Sequence, residues 1–491
     1  MQISNQFSTK KIFSKEYLFL FIVALFIRLP FFFRDYIDHD ESTFILIGNT
    51  VAEGYLPYDY LWDLKPPLLF YIFGLVEYVF PHSLIAIRLF GVIVIFLTAI
   101  FLLQLTKTLR VKNGFIIALS YIILSSLFGA MQGVMSEHIT LIFFIPGLLF
   151  FLKDKSPGVF FISGILFGCA LLCKLNMAYP LMAIVLYYFF FFNPEKGAWT
   201  KFKNCVLTGI GTIVPTIAIA VPYVLQHKLK LFIDSVFLAT LEYGHNSNFS
   251  VAFKLSLTWW IIIAGLIISF FAIKSAPKET RKIAVMLAAI ILPTIFTFYS
   301  SVNMNGHYMI LLYPFLSILI FGFIIKKEIN PGYFKLAVLV LLLSIESHLE
   351  YIKLVKQFTK KSTFYNGNAF RAIEELKKRN LENSKIFFVN FHIGYWFLHK
   401  YPLTKSTTHP SSLIRPNFFK HFGDNRNSMQ EVIYLMEEVY PEVIVSRTRM
   451  LTFFSETDPE NIYFIERLKN YYEIVYENPD EKLFIWKKKN L

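Results

Sequence analysis

The chain has 491 residues, of which 55% are hydrophobic, 18% are aromatic and only 17% are charged. This composition excludes an ordinary soluble globular protein and indicates a polytopic membrane protein. A formal net charge of +14 would suggest nucleic-acid binding in a soluble protein. Here the basic residues lie in short clusters between apolar segments, which is the pattern of membrane topology. We therefore expect membrane lipid, and no nucleic acid, among the partners.

Apolar segments near the length of a membrane span recur along the first 350 residues, since a spanning helix needs roughly 20 apolar residues. Eleven such segments begin at Tyr17, Leu84, Gly114, His138, Gly158, Met177, Cys205, Leu255, Ile283, Tyr308 and Leu336. The first follows Lys10, Lys11 and Lys15 and lacks a small-residue cleavage site, which predicts an uncleaved anchor. The shorter runs Leu68–Phe73 and Val76–Phe80 predict a re-entrant or interfacial helix.

Basic residues are concentrated in every second loop between these segments. The clusters lie at 10–15, 107–112, 153–155, 196–203, 274–282 and 326–335. The loops Met131–Glu137 and Ser301–His307 contain no Lys or Arg. The positive-inside rule places the basic loops in the cytoplasm. We therefore predict a multi-pass protein of the cytoplasmic (inner) membrane, with its N-terminus in the cytoplasm and its first acidic loop and C-terminal region outside.

The composition changes near residue 350, which predicts two domains: a transmembrane domain at 1–350, with its first outer loop at 34–67, and a soluble extracytoplasmic domain at 351–491. Short strands are predicted at Lys385–Asn390, Glu442–Ser446, Tyr472–Tyr476 and Lys482–Trp486. Helices are predicted at Phe370–Arg379, Met429–Val439 and Asn461–Asn470. The expected fold class is thus an α-helical polytopic membrane protein with a C-terminal extracytoplasmic α/β domain.

The first outer loop contains a dense acidic cluster. Its members are Asp35, Asp38, His39, Asp40 and Glu41. A carboxylate at a membrane surface can take a proton from an attacking hydroxyl. The same carboxylates also suit the N-terminus of a helix that begins near Ser42. The two interpretations are compatible, because a helix start holds a catalytic carboxylate in a fixed position.

Three cations accompany these acids. Lys65 precedes Pro66 and Pro67, Arg88 lies just inside the second span, and Lys174 lies at the outer end of the fifth. Lys65 could meet a phosphate as a point charge, and a buried Arg88 needs an anionic partner, either a protein carboxylate or a substrate phosphate. The alternative for a lysine at this depth is a snorkelling side chain that only reaches water.

Two further polar pairs fall on the same predicted face. Glu137 and His138 begin the fourth span, and His307 and Tyr308 open the tenth. Glu137 could orient an acceptor or help to bind a divalent cation, or it could simply cap a helix at the interface. His307 has the same two interpretations, as a ligand-binding side chain or as a satisfied interfacial histidine.

The sequence leaves the need for a metal ion open, and no cofactor is assigned. Asp38 and Asp40 are one residue apart, as in divalent-metal motifs, but such pairs are common by chance. Any metal would bind Asp38, Asp40 and Glu137. The three cysteines lie in or beside apolar segments and are predicted to be packing residues.

These residues together resemble the GT-C membrane glycosyltransferases. The resemblance is to the bacterial branch related to the dolichyl-phosphate-mannose protein mannosyltransferases (glycosyltransferase family 39) and to the lipid A aminoarabinose transferases. The matching motifs are Asp40-Glu41, Gly54-x-x-Pro57-Tyr58, Lys65-Pro66-Pro67, Arg88-Leu89, Glu137, Lys174 and His307-Tyr308. The resemblance covers roughly residues 15–330 and implies the GT-C fold, with about 11 transmembrane helices.

The resemblance also implies a reaction and roles. The enzyme would move a sugar, with inversion, from a polyprenyl-phosphate donor to an envelope glycan, lipid or protein on the outer face. Asp40 would be the general base, supported by Glu41 and by Glu137 at the second acidic position. Lys65, Arg88 and Lys174 would bind the donor phosphate. The substrate cavity would be lined by Asp38, His39, His138, His307 and Tyr308.

One position departs from the pattern. Aminoarabinose transferases carry an arginine two residues after the glutamate, where this chain has Thr43, which argues against the lipid A reaction. The competing function is a transporter or flippase of lipid-linked sugars. Charges inside several spans would favour transport, whereas charges clustered at one face favour surface chemistry.

Overall fold

A computed structural model describes residues 15–153, 156–192, 195–245, 251–299, 305–423 and 426–489. The helices of the membrane domain are Lys15–Arg28, His39–Ala52, Pro67–Val79, Leu84–Thr108, Gly114–Leu124, Ser136–Lys153, Pro157–Leu171, Ala178–Phe190, Ala198–Leu225, Leu229–Ile233, Ala239–His245, Val251–Ser275, Arg281–Tyr299, Tyr313–Ser317, Gly332–Leu343 and Ile345–Lys361. Each of the eleven predicted span starts lies in a helical segment. The largely helical membrane architecture expected from the sequence is therefore confirmed.

Several predicted spans are broken into shorter helices. Five described helices are long and apolar enough to cross a membrane: Lys15–Phe33, Leu84–Thr108, Ser136–Lys153, Ala198–Leu225 and Arg281–Phe298. The tenth predicted span begins as the 3-10 helix Gly306–Leu311 and ends as the π-helix Ile318–Ile324. Such irregular turns are frequent at functional sites. The helix Pro67–Val79 occupies the stretch predicted to be re-entrant or interfacial.

The C-terminal region is a small α/β domain whose four strands match the predicted ones. They are β1 (Ile386–Phe388), β2 (Val443–Ser446), β3 (Tyr472–Asn478) and β4 (Leu483–Lys488). The sheet has the order β1-β2-β4-β3, in which β1 and β2 are parallel and the other pairs are antiparallel. Its helices are Asn368–Lys378, Ile393–Phe397, Phe419–Phe422, Ser428–Tyr434 and Pro459–Tyr471.

The first outer loop packs against this domain. The backbone N–H of Asp35 donates to the carbonyl of Asn366 at 3.1 Å, and the N–H of Asn366 donates to the carbonyl of Phe33 at 2.9 Å. The Asp35 carboxylate accepts hydrogen bonds from the N–H groups of Ala369 and Phe370, at the start of the helix Asn368–Lys378. A carboxylate at a helix N-terminus is stabilising, so the loop caps the first helix of the domain.

Apolar packing continues the same junction. Trp62 is fully buried, and its ring centroid lies 4.9 Å from that of Phe418 and 5.2 Å from that of Phe422. Its indole N–H donates to Ser235 Oγ at 3.1 Å. One hydrophobic core therefore includes the loop and the C-terminal domain, which gives that domain a fixed place over the loop.

Candidate active site

The helix His39–Ala52 holds the acidic cluster at its N-terminus. Asp38 is the N-cap residue, and its Oδ1 accepts the N–H of Asp40 at 2.9 Å. Asp40 and Glu41 occupy the first turn, where helix geometry directs successive side chains to different neighbours. Burial, and then the negative charge of Asp40, raise the pKa of Asp38. The helix-capping interpretation therefore applies to Asp38, while Asp40 and Glu41 bind partners elsewhere.

Asp40 binds two different groups through its two oxygens. Its Oδ2 accepts from Lys65 Nζ at 2.9 Å, and its Oδ1 accepts from His409 Nε2 at 3.2 Å. The backbone of Lys65 is fixed in turn, because the Tyr58 hydroxyl donates to its carbonyl at 2.7 Å. The Asp40 side chain is 16% exposed and that of Lys65 is 21% exposed. Both side chains are therefore partly open to solvent.

The hydrogen bonds around His409 fix its tautomer. The N–H of Ser411 lies 3.1 Å from His409 Nδ1 and can only donate, so Nδ1 must accept. The neutral ring then carries its proton on Nε2 and donates it to Asp40. His409 was absent from the sequence-based site. The only sequence signal in its favour is the polar run 404–412, because nothing local connects it to residue 40.

Asp40 is held as a carboxylate. Burial alone would raise its pKa, but the positive charge of Lys65 and the hydrogen bond from His409 outweigh burial and hold the pKa well below the usual range. Burial likewise opposes the charge on Lys65, yet Asp40 and then Asp63 raise the pKa of the Lys65 ammonium above its usual value. The accessible pair is thus an ionised one.

Glu41 and Arg88 form a second ion pair, which is buried. Their side chains are 1% and 2% exposed. Glu41 Oε1 also accepts the N–H of Val134 at 2.6 Å. A Cβ on Gly133 would lie 3.1 Å from the Glu41 carboxyl carbon, so only a small residue fits there. This pair joins the loop helix to the second span and to the segment before the fourth span.

Glu137 and Lys174 form a third pair, with 2.6 Å between Lys174 Nζ and Glu137 Oε1. His307 Nε2 lies 3.8 Å from the same oxygen, and Lys174 Nζ lies 4.5 Å from the centre of the Tyr308 ring. Lys174, His307 and Tyr308 therefore form one cluster with the Glu137 carboxylate.

The other two histidines of the predicted cavity have different surroundings. His138 is completely buried; its Nδ1 accepts the N–H of Met135 at 3.3 Å and its Nε2 lies 3.3 Å from the carbonyl of Ser125. It is thus held by backbone and does not face the Asp40 pair through either nitrogen. The ring of His39 stacks on that of His392, with 5.6 Å between centroids. Burial, and then His409, lower the pKa of His39 to about 3, so this ring is neutral.

Thr43, the departure from the aminoarabinose transferase pattern, is completely buried. Its hydroxyl lies 3.2 Å from His392 Nε2 and 3.3 Å from the carbonyl of Thr408. An arginine side chain would not fit in this position without displacing the C-terminal domain. The position that carries an arginine in the aminoarabinose transferases is here part of the contact between loop and domain.

The three residues named as metal ligands do not converge. Asp38 caps the helix, both oxygens of Asp40 have donors, and Glu137 is paired with Lys174. Among the described residues, no group of three or more His, Cys, Asp or Glu side chains has the geometry to hold a metal ion. The donor set as arranged does not fit a metal.

Residues 64–223 match the family described as dolichyl-phosphate-mannose-protein mannosyltransferase. The resemblance to GT-C glycosyltransferases is confirmed over this segment. It includes Lys65, Arg88, Glu137 and Lys174, whereas Asp40, Glu41 and His307 lie outside it. The mannosyltransferase-like segment thus holds all three cations of the candidate site.

Similar solved structures include several of the oligosaccharyltransferase of the archaeon Archaeoglobus fulgidus. One, tethered to an acceptor peptide, is 12% identical over 97% of this chain and 74% of its own, with a TM-score of 0.46. One with an inhibitory peptide and a dolichol-phosphate has the same identity and coverage and a TM-score of 0.45. Another holds zinc and sulfate, with 12% identity, coverages of 96% and 73%, and a TM-score of 0.42. A comparison with curated protein sequences gave no match.

Proposed function

We propose that this chain transfers a sugar, with inversion, from a polyprenyl-phosphate donor to an acceptor hydroxyl on the outer face of the cytoplasmic membrane. The observation that carries the proposal is the partly exposed, ionised Asp40 carboxylate, held by Lys65 and His409. The family match over residues 64–223 supports a glycosyltransferase. The acceptor class, whether glycan, lipid or protein, is left to the experiment below.

In the proposed reaction the acceptor hydroxyl attacks the anomeric carbon of the sugar. Its proton passes to Asp40, the bond between the anomeric carbon and the phosphate oxygen breaks, and polyprenyl phosphate leaves. Attack from the face opposite the leaving group inverts the anomeric centre. Each carboxylate oxygen has two lone-pair sites, so Asp40 can accept the acceptor proton while it keeps Lys65 and His409.

Negative charge develops on the departing phosphate and needs nearby cations. Lys65 is the most accessible of the three candidates, at 21% exposed, and Lys174 is 8% exposed beside His307 and Tyr308. Arg88 is buried against Glu41. We therefore propose phosphate binding by Lys65 and Lys174, and assign the pair Glu41–Arg88 to positioning Asp40.

No step of this mechanism passes through a metal ion, because the carboxylates that would bind one are already engaged by Lys65, His409 and Lys174. Glu137 and His307 would line the donor side of the cavity. The ion pair with Glu137 would hold Lys174 close to the incoming phosphate.

Transport of a lipid-linked sugar is the competing function, and product analysis distinguishes the two. The purified protein would be reconstituted in phospholipid vesicles and mixed with a polyprenyl-phosphate-linked sugar and envelope acceptors. A transferase releases polyprenyl phosphate and forms a glycoside of inverted configuration, which mass spectrometry and NMR detect. Intact donor that only moves between the leaflets of a vesicle would contradict the proposal.

A further inference from the structure

The helix Ile345–Lys361, here called the juxtamembrane helix, turns its polar side towards the protein. Ser347 Oγ donates to the carbonyl of Ile27 at 2.7 Å, and the buried Glu350 lies 3.7 Å from Arg34. The outward face carries a stripe of apolar side chains, each 47–64% exposed: Ile345, Leu349, Ile352, Val355 and Phe358. A helix of a soluble domain has the opposite arrangement. This face therefore suits lipid.

The length of the preceding helix sets the depth of this one. Gly332–Leu343 has 12 residues, about 18 Å at 1.5 Å per residue, whereas the hydrocarbon is about 30 Å thick. A helical crossing of the hydrocarbon needs about 20 residues. A crossing that begins at Gly332 therefore ends near Tyr351. Ile352 and Lys353 follow in the chain. The lysines of this helix therefore begin where the hydrocarbon ends, at the level of the lipid headgroups.

A cavity of about 540 Å³ lies between the second half of the juxtamembrane helix and the C-terminal domain. Its basic lining residues are Lys353, Lys356, Lys360, Lys361 and Arg371. Three of them have carboxylate partners, since Lys353 pairs with Glu350 at 3.0 Å, Lys361 with Glu374 at 3.3 Å, and Arg371 with Glu481.

Lys356 and Lys360 have no ion-pair partner within the described ranges of the chain. The cavity therefore presents two uncompensated ammonium groups directly beside the apolar stripe. We propose that it binds the headgroup of an anionic phospholipid, whose acyl chains lie along Leu349 and Ile352. A soluble anion would satisfy the lysines but would leave the stripe exposed, so the arrangement favours a lipid.

The bound lipid would also connect the two domains. The helix Asn368–Lys378, which carries Arg371, is the helix capped by Asp35 of the first outer loop. A headgroup held between Lys356 and this helix would keep the C-terminal domain at a fixed height over the membrane.

Native mass spectrometry of the full chain, loaded with phosphatidylglycerol or phosphatidylcholine, tests this proposal. The wild type should retain phosphatidylglycerol preferentially. A lysine close to anionic lipid contributes about fivefold to binding, so the variant Lys356→Gln/Lys360→Gln should retain it roughly 25-fold less tightly. The matched control is Lys377→Gln, an exposed lysine outside the cavity, which should behave like the wild type. Circular dichroism checks that each variant is folded.

Two results would overturn the proposal. One is equal retention of phosphatidylglycerol by the wild type and by the folded double variant. The other is displacement of the lipid by inorganic phosphate as effectively as by phosphatidylglycerol itself, which would mean that the cavity is a soluble-anion site.

Discussion

The Nε2 atom of His409 lies 3.2 Å from Oδ1 of Asp40, although 369 residues separate them in the sequence. The backbone N–H of Ser411 holds the histidine in the tautomer that donates to the carboxylate. Through this contact the C-terminal domain completes a site that otherwise belongs to the membrane domain. His409 is a positioning residue in the proposed mechanism, because it acts through Asp40.

We predict that His409→Ala lowers kcat by roughly 10- to 100-fold, since small misplacements of a catalytic group have effects up to about that size. KM for the donor should change little, because His409 does not bind phosphate. Loss of its hydrogen bond should also raise the pKa of Asp40, and the acidic limb of the pH–rate profile should move upward. His399→Ala is the matched control, since that histidine pairs with His82 at 3.0 Å. Equal kinetics of the two variants would show that the His409 contact has no catalytic role.

Lys65 sets the charge state of Asp40, and this predicts a pH effect. The positive charge of Lys65 lowers the pKa of Asp40, so wild-type activity should not fall through Asp40 titration until the pH drops below the ordinary range of an aspartate. In Lys65→Met, the largest influence that opposes burial is lost while the His409 hydrogen bond remains, so the pKa of Asp40 should rise and the acidic limb should move to higher pH.

The control for Lys65→Met is Lys228→Met in the same variant series. Lys228 pairs with Asp59 of the first outer loop at 2.7 Å, so its loss removes a similar pair without touching Asp40. An acidic limb that stays in place in Lys65→Met would contradict the electrostatic role of Lys65.

The buried pair Glu41–Arg88 should contribute to stability in a non-additive way. Arg88→Met leaves the Glu41 carboxylate buried and unpaired, which costs about 3–5 kcal/mol in the free energy of unfolding. The double variant Glu41→Gln/Arg88→Met removes both charges and should recover a large part of that loss. Thermal unfolding in detergent would be measured for the wild type, for each of the two single variants and for the double variant. Additive losses in the double variant would mean that the two charges do not interact.

Gly367 should be needed for the contact between the loop and the C-terminal domain. Its φ is +127°, and an added Cβ would collide with the Asp35 carboxylate. At Gly423, where φ is +89°, an added Cβ would have no atom of the described residues within 4 Å. The variant Gly423→Ala therefore tests the backbone strain by itself, about 1 kcal/mol. Gly367→Ala should therefore unfold at a lower temperature than Gly423→Ala and expose residues 34–38 to limited proteolysis. Equal melting temperatures would remove the proposed role of this contact.

Much of the fold follows from local patterns in the sequence. Long apolar runs locate the helical segments, and short runs of β-branched and aromatic residues locate all four strands, because both patterns are local to the chain. The breaks within spans were not predicted, since a π-helix such as Ile318–Ile324 depends on tertiary packing.

The site was predictable only in part, for the same reason. The acids and cations stand out because charges at a membrane edge are rare. Which acid pairs with which cation depends on the tertiary structure. Arg88 could have bound a phosphate or a carboxylate, and in the structure it forms an ion pair with Glu41. His409 belongs to a polar run with no local relation to the first outer loop, so no spacing rule could connect it to Asp40.

Sugar transfer by the variant Asp40→Asn tests most directly the central claim, which is that Asp40 acts as the general base. The amide keeps the size of the side chain but cannot take the acceptor proton, and general-base catalysis contributes about 10²–10⁴-fold. With a defined polyprenyl-phosphate sugar, we predict that Asp40→Asn loses transfer by at least about 10²-fold, while Asp59→Asn, from the pair with Lys228, stays active. Full activity of a folded Asp40→Asn protein would contradict the account.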